Sequence, residues 1–173
     1  MTGRGKLRLE PLSTAHLPGL EVLWGDPDVI RYTNIPDPCG PAEAAQRLER
    51  LLDCQASLPG PTIFAVLGDG GFCGIAGCPP VDAAKGAFGL FYQLLPETWG
   101  QGVGLSAARM ALDALCRLFP TATVYAGAAA ENAASIRILE HLDFARTAVH
   151  PGAFHRDGRA LDIWDYVLEP DMR

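Results

Sequence analysis

GAFGLFYQLLPETWGQGVGLSAARMALDALCRLF, residues 86–119, is the stretch on which the reading of this chain turns. It opens as an apolar, strand-like run from Ala87 to Leu95 and breaks at Pro96. The glycine-dense loop Trp99-Gly100-Gln101-Gly102-Val103-Gly104 follows, then an amphipathic segment that ends at Phe119, just ahead of Pro120. In that segment Leu105, Ala108, Leu112, Leu115 and Phe119 recur at three- and four-residue spacing, which predicts a helix with one buried face. Arg109, Asp113 and Arg117 lie four apart on the opposite, wet face. A strand, a glycine loop and a helix start gather backbone N–H groups that no intrahelical carbonyl takes, at the positive end of the helix dipole. Such a junction suits an anion, above all a phosphate.

The flanks read as alternating elements. Lys6 to Leu12 alternates, with Leu7 and Leu9 on one face, and predicts a half-buried strand. Ser13 or Thr14 caps a short helix carrying Leu17, Leu20 and Leu23. A turn over Asp28–Tyr32 leads into the proline-rich loop Ile35–Gly40. Pro41 opens a longer helix with Ala44, Leu48, Leu51 and Leu52 as its apolar stripe and a Glu43–Arg47 pair outside. Thr62–Leu67 and Phe72–Cys78 are strands joined by Gly68-Asp69-Gly70-Gly71, a hairpin signal because these residues accept positive φ. Beyond the central stretch, Thr123–Ala126 is a short strand. Asn132 caps a helix with Ile136, Leu139 and Leu142 inside, and Asp143 is its left-handed stop. Arg146–His150 and Ala160–Leu168 are final strands joined around Arg156–Arg159. The order implies an α/β (α+β) fold in one domain over residues 1–173, with a mixed, mostly antiparallel sheet of about seven strands flanked by helices.

Composition narrows the function classes. The 173 residues are 49% hydrophobic and 20% charged, enough for one full core, with net charge -6. That field opposes nucleic acid, and no Lys/Arg run offsets it. Five cysteines (Cys39, Cys54, Cys73, Cys78, Cys116) without a CxxC pair point to reduced thiols and against structural zinc. No apolar run approaches a membrane span, and MTGRGKLRLE lacks the apolar core of a signal peptide. The expectation is a cytoplasmic protein with no metal, nucleic-acid or membrane partner.

Two phosphate motifs can be tested directly. A dinucleotide fingerprint needs G-x-G-x-x-G, whereas Leu105 stands where the third glycine belongs, and no acidic residue ends the next strand. A Walker loop needs a lysine that is not there.

The combination that fits is Pro96-x-x-Trp99-Gly100-x-Gly102-Val103-Gly104, then Glu131-Asn132-Ala133-Ala134-Ser135 and Leu139-Glu140-His141-Leu142-Asp143-Phe144. With the opening Leu7-Arg8-Leu9-Glu10-Pro11-Leu12, it resembles the GNAT N-acetyltransferase superfamily, in particular its ribosomal-protein alanine N-acetyltransferase branch. The resemblance runs from Leu7 to Leu168 and implies the acyl-CoA N-acyltransferase fold. It also implies an enzyme that moves an acetyl group from acetyl-CoA to a primary amine, a protein N-terminus or a small molecule. The N–H groups of Gln101, Gly102, Val103, Gly104 and Leu105 would hold the pyrophosphate. The edge at Gln93, Leu94 and Leu95 would pair with the pantetheine arm. An N–H at Leu94 or Leu95 would polarise the thioester carbonyl. Asn132 would bind the pantetheine or a nearby water. Ser135 would sit beside the sulfur and protonate it, since Leu139 stands where many members carry a tyrosine.

The general base stays open among His150, His155, Glu97, Tyr92, Glu131 and a water chain, because the strand Ala87–Tyr92 has no carboxylate where members often carry a glutamate. His155 is taken as the candidate, since the reference pKa of histidine, ~6.5, suits a base near neutral pH. Trp99 is expected to pack the loop on the core, and His16 and His141 to be surface helix residues. The alternative is a non-catalytic CoA-binding or regulatory module, and the assembly a monomer or homodimer.

Overall fold

The computed structural model describes residues 6–172; the first five residues of the polar amino terminus lie outside them. The alternating segment near the start forms β1 (Arg8–Pro11). Ser13 caps a single 3-10 turn, Thr14–His16, before α1 (Leu17–Gly25). The turn after Asp26 is a helical one, α2 (Pro27–Ile30), with the Asp26 side chain accepting from the N–H groups of Asp28 and Val29. Pro41 starts α3 (Pro41–Gln55) at the position where its missing N–H costs nothing. The glycine hairpin joins β2 (Ile63–Gly68) to β3 (Gly71–Gly77).

The central run departs from expectation in a way that makes the site. It forms two strands, β5 (Ala87–Gly89) and β6 (Phe91–Leu94), and each belongs to a different sheet. A further strand, β4 (Pro80–Asp82), occupies part of the segment read as a loop and pairs with β5. One sheet is antiparallel, in the order β1-β2-β3-β6. The second has the order β4-β5-β7-β9-β8, where β7 is Thr123–Ala129, β8 is Ala145–Arg156 and β9 is Arg159–Leu168. Among the described residues nine strands therefore stand where about seven were expected, and of their pairings only β5 with β7 is parallel.

Helix α4 (Val103–Leu118) packs against β3 and β6 of the first sheet, and α5 (Ala133–His141) packs against α4 and β7. The buried positions of α4 are Ala107, Ala108, Ala111, Leu112 and Leu115. Three are alanines, which let the helix axis approach β3 and β6 closely. Phe88 is fully buried, and its ring meets that of Phe119 at a centroid distance of 4.6 Å. Burying such a side chain contributes about 2–3 kcal/mol. A second cluster under α1 and α3 holds Leu20, Leu23, Trp24, Leu48, Ile63 and Leu95.

Asp143 has φ 62, the left-handed stop that its position predicts, and Asp157 and Gly158 carry φ 52 and 73 at the last hairpin turn. β8 runs beyond its expected end at His150. Pro151 cannot donate to a ladder, and the pairing accommodates it by shifting register between His150 and Phe154, with Gly152 at φ 61.

Candidate active site

The split at Leu90 opens a cleft. β5 and β7 pair as far as Gly89 and Tyr125, and the Leu90 N–H donates to the Tyr125 carbonyl at 2.8 Å. Beyond that bond β6 pairs only with β3, and β7 continues from Ala126 to Ala129 against β9. The strands diverge around a cavity of about 920 Å³, lined by 90–94 on one side and 126–129 on the other. Gly100, the first turn of α4 and one side of α5 along its length close one end, and the segment from Asp28 to Asn34 borders the other.

The backbone of β6 explains which edge groups face this cavity. N–H and C=O of one strand residue point the same way, and successive residues alternate. The Leu95 N–H donates to the Cys73 carbonyl of β3 at 2.8 Å, so Leu94 presents its pair to the cleft. The Leu94 carbonyl accepts from Trp99 Nε1 at 2.8 Å. Its N–H stays on the open edge. Trp99 is 48% exposed, so it caps a strand carbonyl and does not pack the loop on the core as expected. Gly74 holds β6 in place from the other side, with φ +147 and the Gln93 carbonyl only 2.1 Å from where a Cβ would be.

The glycine loop meets its physical expectation with divided roles. Gly100 and Gly102 have φ +72 and +78 with open space beside them, so both glycines serve backbone conformation. Gly104 serves packing, because a Cβ there would lie 2.9 Å from Ile138 Cδ1 on α5. Gly102 is the N-cap of α4, and the first N–H that reaches back to it is that of Ser106, at 3.1 Å. The N–H groups of Val103, Gly104 and Leu105 precede the helical ladder, beside the cleft.

Asn132 caps α5, its Oδ1 accepting from the Ser135 N–H at 3.2 Å. Ser135 Oγ lies 2.8 Å from the Tyr92 hydroxyl, which also reaches the Ser135 carbonyl at 3.2 Å. Burial pushes the Tyr92 phenol up to about 12, against the opposing effect of its hydrogen bond to Ser135. The phenol is therefore neutral over the physiological range and able to donate. Leu139 is 1% exposed and belongs to the core, so a tyrosine hydroxyl reaches Ser135 from β6 and not from α5. The signal was in the sequence: Tyr92 and Leu94 alternate on one face of the strand.

The cleft thus brings together Gln93, Leu94, Gly102, Val103, Gly104, Leu105, Asn132 and Ser135. It does not bring Leu95, whose N–H is used within the sheet, or Gln101, whose exposed side chain donates to the Glu97 carbonyl at 2.7 Å. His155 lines a separate hollow of about 250 Å³ that shares Thr33 and Asn34 with the cleft. His150 pairs with Asp165 at 2.6 Å, and Glu131 with Arg159. His141 is exposed, as expected of a surface helix residue, and with Arg137 it also borders the α5 side of the cleft. Among the described residues no group of three or more His, Cys, Asp or Glu side chains is placed to hold a metal ion.

The model of the acetyltransferase (GNAT) domain matches residues 6–145. The chain belongs to the GNAT acetyltransferase family. Solved GNAT structures share its fold. One is RimL, a ribosomal L7/L12 alpha-N-protein acetyltransferase in complex with coenzyme A, with TM-score 0.82, 17% identity and coverage of 96% of each chain. Another is spermidine N-acetyltransferase from Vibrio cholerae in complex with CoA and spermine, with TM-score 0.80, 18% identity and again 96% of each chain. A third is yncA from Salmonella typhimurium with its cofactor acetyl-CoA, with TM-score 0.78, 21% identity and coverage of 96% and 95%. No curated protein matches the sequence significantly. The split β5–β6 run and the glycine-loop start of α4 are thus features of a GNAT chain, and its mixed sheets flanked by helices match the acyl-CoA N-acyltransferase fold.

Proposed function

We propose that this chain transfers an acetyl group from acetyl-CoA to a primary amine. The observation that carries the reading is the diverged β6–β7 edge, with the Leu94 N–H unspent, ending at a helix start whose first N–H groups face the same cleft. This donor set fits a long ligand with an anion at one end and a carbonyl at the other. Gly102 to Leu105 hold the pyrophosphate through backbone N–H groups, with no cation required. Leu94 donates to the thioester oxygen as charge develops on it. Asn132 Nδ2, left free by the cap, serves the pantetheine arm. Acetyl-CoA supplies the activated acyl group: a C–N bond forms to the amine as the C–S bond breaks, the amine loses one proton and the thiolate gains one.

Ser135 and Tyr92 form the donor pair for that thiolate. A thiol has a reference pKa of ~8.5, far below a phenol held near 12, so full transfer from Tyr92 is uphill. The pair serves best by hydrogen bonding to the departing sulfur, the final proton coming from water. The amine enters between the Asp28–Asn34 segment and the last hairpin, where His155 is the candidate base. A peptide N-terminus and a polyamine both fit, by likeness to RimL and to the spermidine enzyme. No described helix is long and apolar enough to cross a membrane. Five cysteines without a CxxC pair suit a reducing cytoplasm, and the chain would act there as a monomer or homodimer.

A second reading, a CoA-binding module without turnover, is favoured by the absence of any carboxylate on β5 and β6. Acetyl-CoA with alanine-starting peptides, polyamines and other amines should release free thiol. Thermal stabilisation by acetyl-CoA without release would select the second reading, and no stabilisation would end both.

A further inference from the structure

The segment that borders the acceptor end of the cleft is irregular from Arg31 to Gly40, so its shape depends on contacts from elsewhere. Local bonds account for part of it. The Thr33 N–H and hydroxyl both reach the Ile30 carbonyl at 2.9 Å, the Ile35 N–H donates to Thr33 Oγ1 at 3.1 Å, and the Cys39 N–H donates to the Trp24 carbonyl at 2.9 Å. Ile35 and Cys39 also pack into the second core cluster, and the side-chain hydrogen bonds that reach 30–36 from the last hairpin come from one residue. Arg156, at the end of β8, donates through Nη1 to the Pro36 carbonyl at 2.8 Å. Through Nη2 it reaches the carbonyls of Thr33 and Ile35 at 2.8 Å and of Ile30 at 3.3 Å. Phe154 lies against the guanidinium, 5.5 Å from ring centroid to Cζ. Among the described residues Arg156 Nε is buried with no hydrogen-bond partner, so the hydrogen bonds of the guanidinium all go to the loop.

We infer that Arg156 is a positioning residue for the acceptor: it ties the 30–36 segment to the last hairpin and so sets the wall that Thr33 and Asn34 form between the cleft and the His155 hollow. This rests on the reading that the amine enters at that end. A planar fork can address four carbonyls spread over seven residues, which the point-like ammonium of lysine cannot. The pyrophosphate end of the cleft, built from α4 and α5, has no bond to Arg156.

The test compares the parent with Arg156→Ala and Arg156→Lys, using an alanine-starting peptide and spermidine as acceptors. Acceptor kcat/KM should fall about 30-fold or more in Arg156→Ala, mostly through KM, with acetyl-CoA Kd within about twofold of the parent. Guanidinium ion added to Arg156→Ala should recover part of the loss, and lysine should not. Amide hydrogen exchange, which needs no acceptor, should speed by about tenfold or more at Thr33, Ile35 and Cys39 while α4 is unchanged. A parent that turns over neither acceptor would count against the proposed acceptors, and the exchange result would still judge the tie. Parental exchange and parental KM in a folded Arg156→Ala would overturn the inference. So would an equal loss of acetyl-CoA affinity, or failure of both variants to melt cooperatively, which would make Arg156 a folding residue.

Discussion

Replacing Tyr92 with phenylalanine removes one oxygen from the cleft and keeps the ring. In the parent that oxygen is 2.8 Å from Ser135 Oγ. Loss of a neutral, part-buried hydrogen bond costs about 1 kcal/mol at neutral pH. The larger signal is alkaline. The phenol is pushed up to about 12 from an ordinary 10.0, chiefly by burial. Above pH 10 the unfolded chain gives up this proton while the folded chain keeps it. The contribution is therefore fully present below pH 10 and is lost as pH rises toward about 12, a fall on the order of 3 kcal/mol at ~1.4 kcal/mol per pH unit. Denaturant melts of parent and Tyr92→Phe at a series of pH values from 8 to 12 isolate it, because the two proteins differ only in that hydroxyl. The variant should lack that part of the alkaline loss. Its turnover should fall about 100-fold, the low end for losing one hydrogen-bond donor to developing charge because Ser135 remains, with acetyl-CoA stabilisation kept. Parental turnover combined with a parental alkaline limb would refute the pairing of Tyr92 with Ser135 as a functional unit.

Three further substitutions test the frame around that pair. Gly74→Ala puts a Cβ 2.1 Å from the Gln93 carbonyl at a φ of +147; overpacking and strain together should cost about 3 kcal/mol or more and displace the Leu94 edge, read as a lower melting temperature and lost turnover. Gly102→Asp combines a left-handed φ of +78 with a carboxylate at the helix start; it should cost about 1–2 kcal/mol and remove the ~2.7 kcal/mol stabilisation that a ligand at 100-fold its Kd supplies. Gly104→Ala should separate the two glycine roles: its Cβ would meet only the movable end of Ile138, Cδ1 at 2.9 Å, inside a helix, so calorimetry should show a change of about 1 kcal/mol or less, far below the loss at Gly74.

The element order, the glycine hairpin, the left-handed Asp143, the proline start of α3 and the capped start of α5 were legible because each is local: a period, a cap or a turn residue acts within a few positions of itself. The glycine loop was legible for the same reason, and with Asn132 and Ser135 it was enough to point to GNAT. What the sequence could not separate was the run Ala87–Leu95, which is one apolar stretch in composition and two strands of different sheets in space. The split depends on whether β7 or β3 offers the partner at each residue, and those strands come from either side of it in the chain. The same geometry separated Leu94 from Leu95, since only pairing with Cys73 decides which N–H is spent. It brought Tyr92 to Ser135 across 43 positions and Arg156 to the Ile30–Pro36 carbonyls across more than 100. Local patterning therefore determined what kind of ligand this chain is built for. Only the tertiary structure decided which groups meet it, because hydrogen-bond partners distant in sequence are chosen by packing and not by neighbours along the chain.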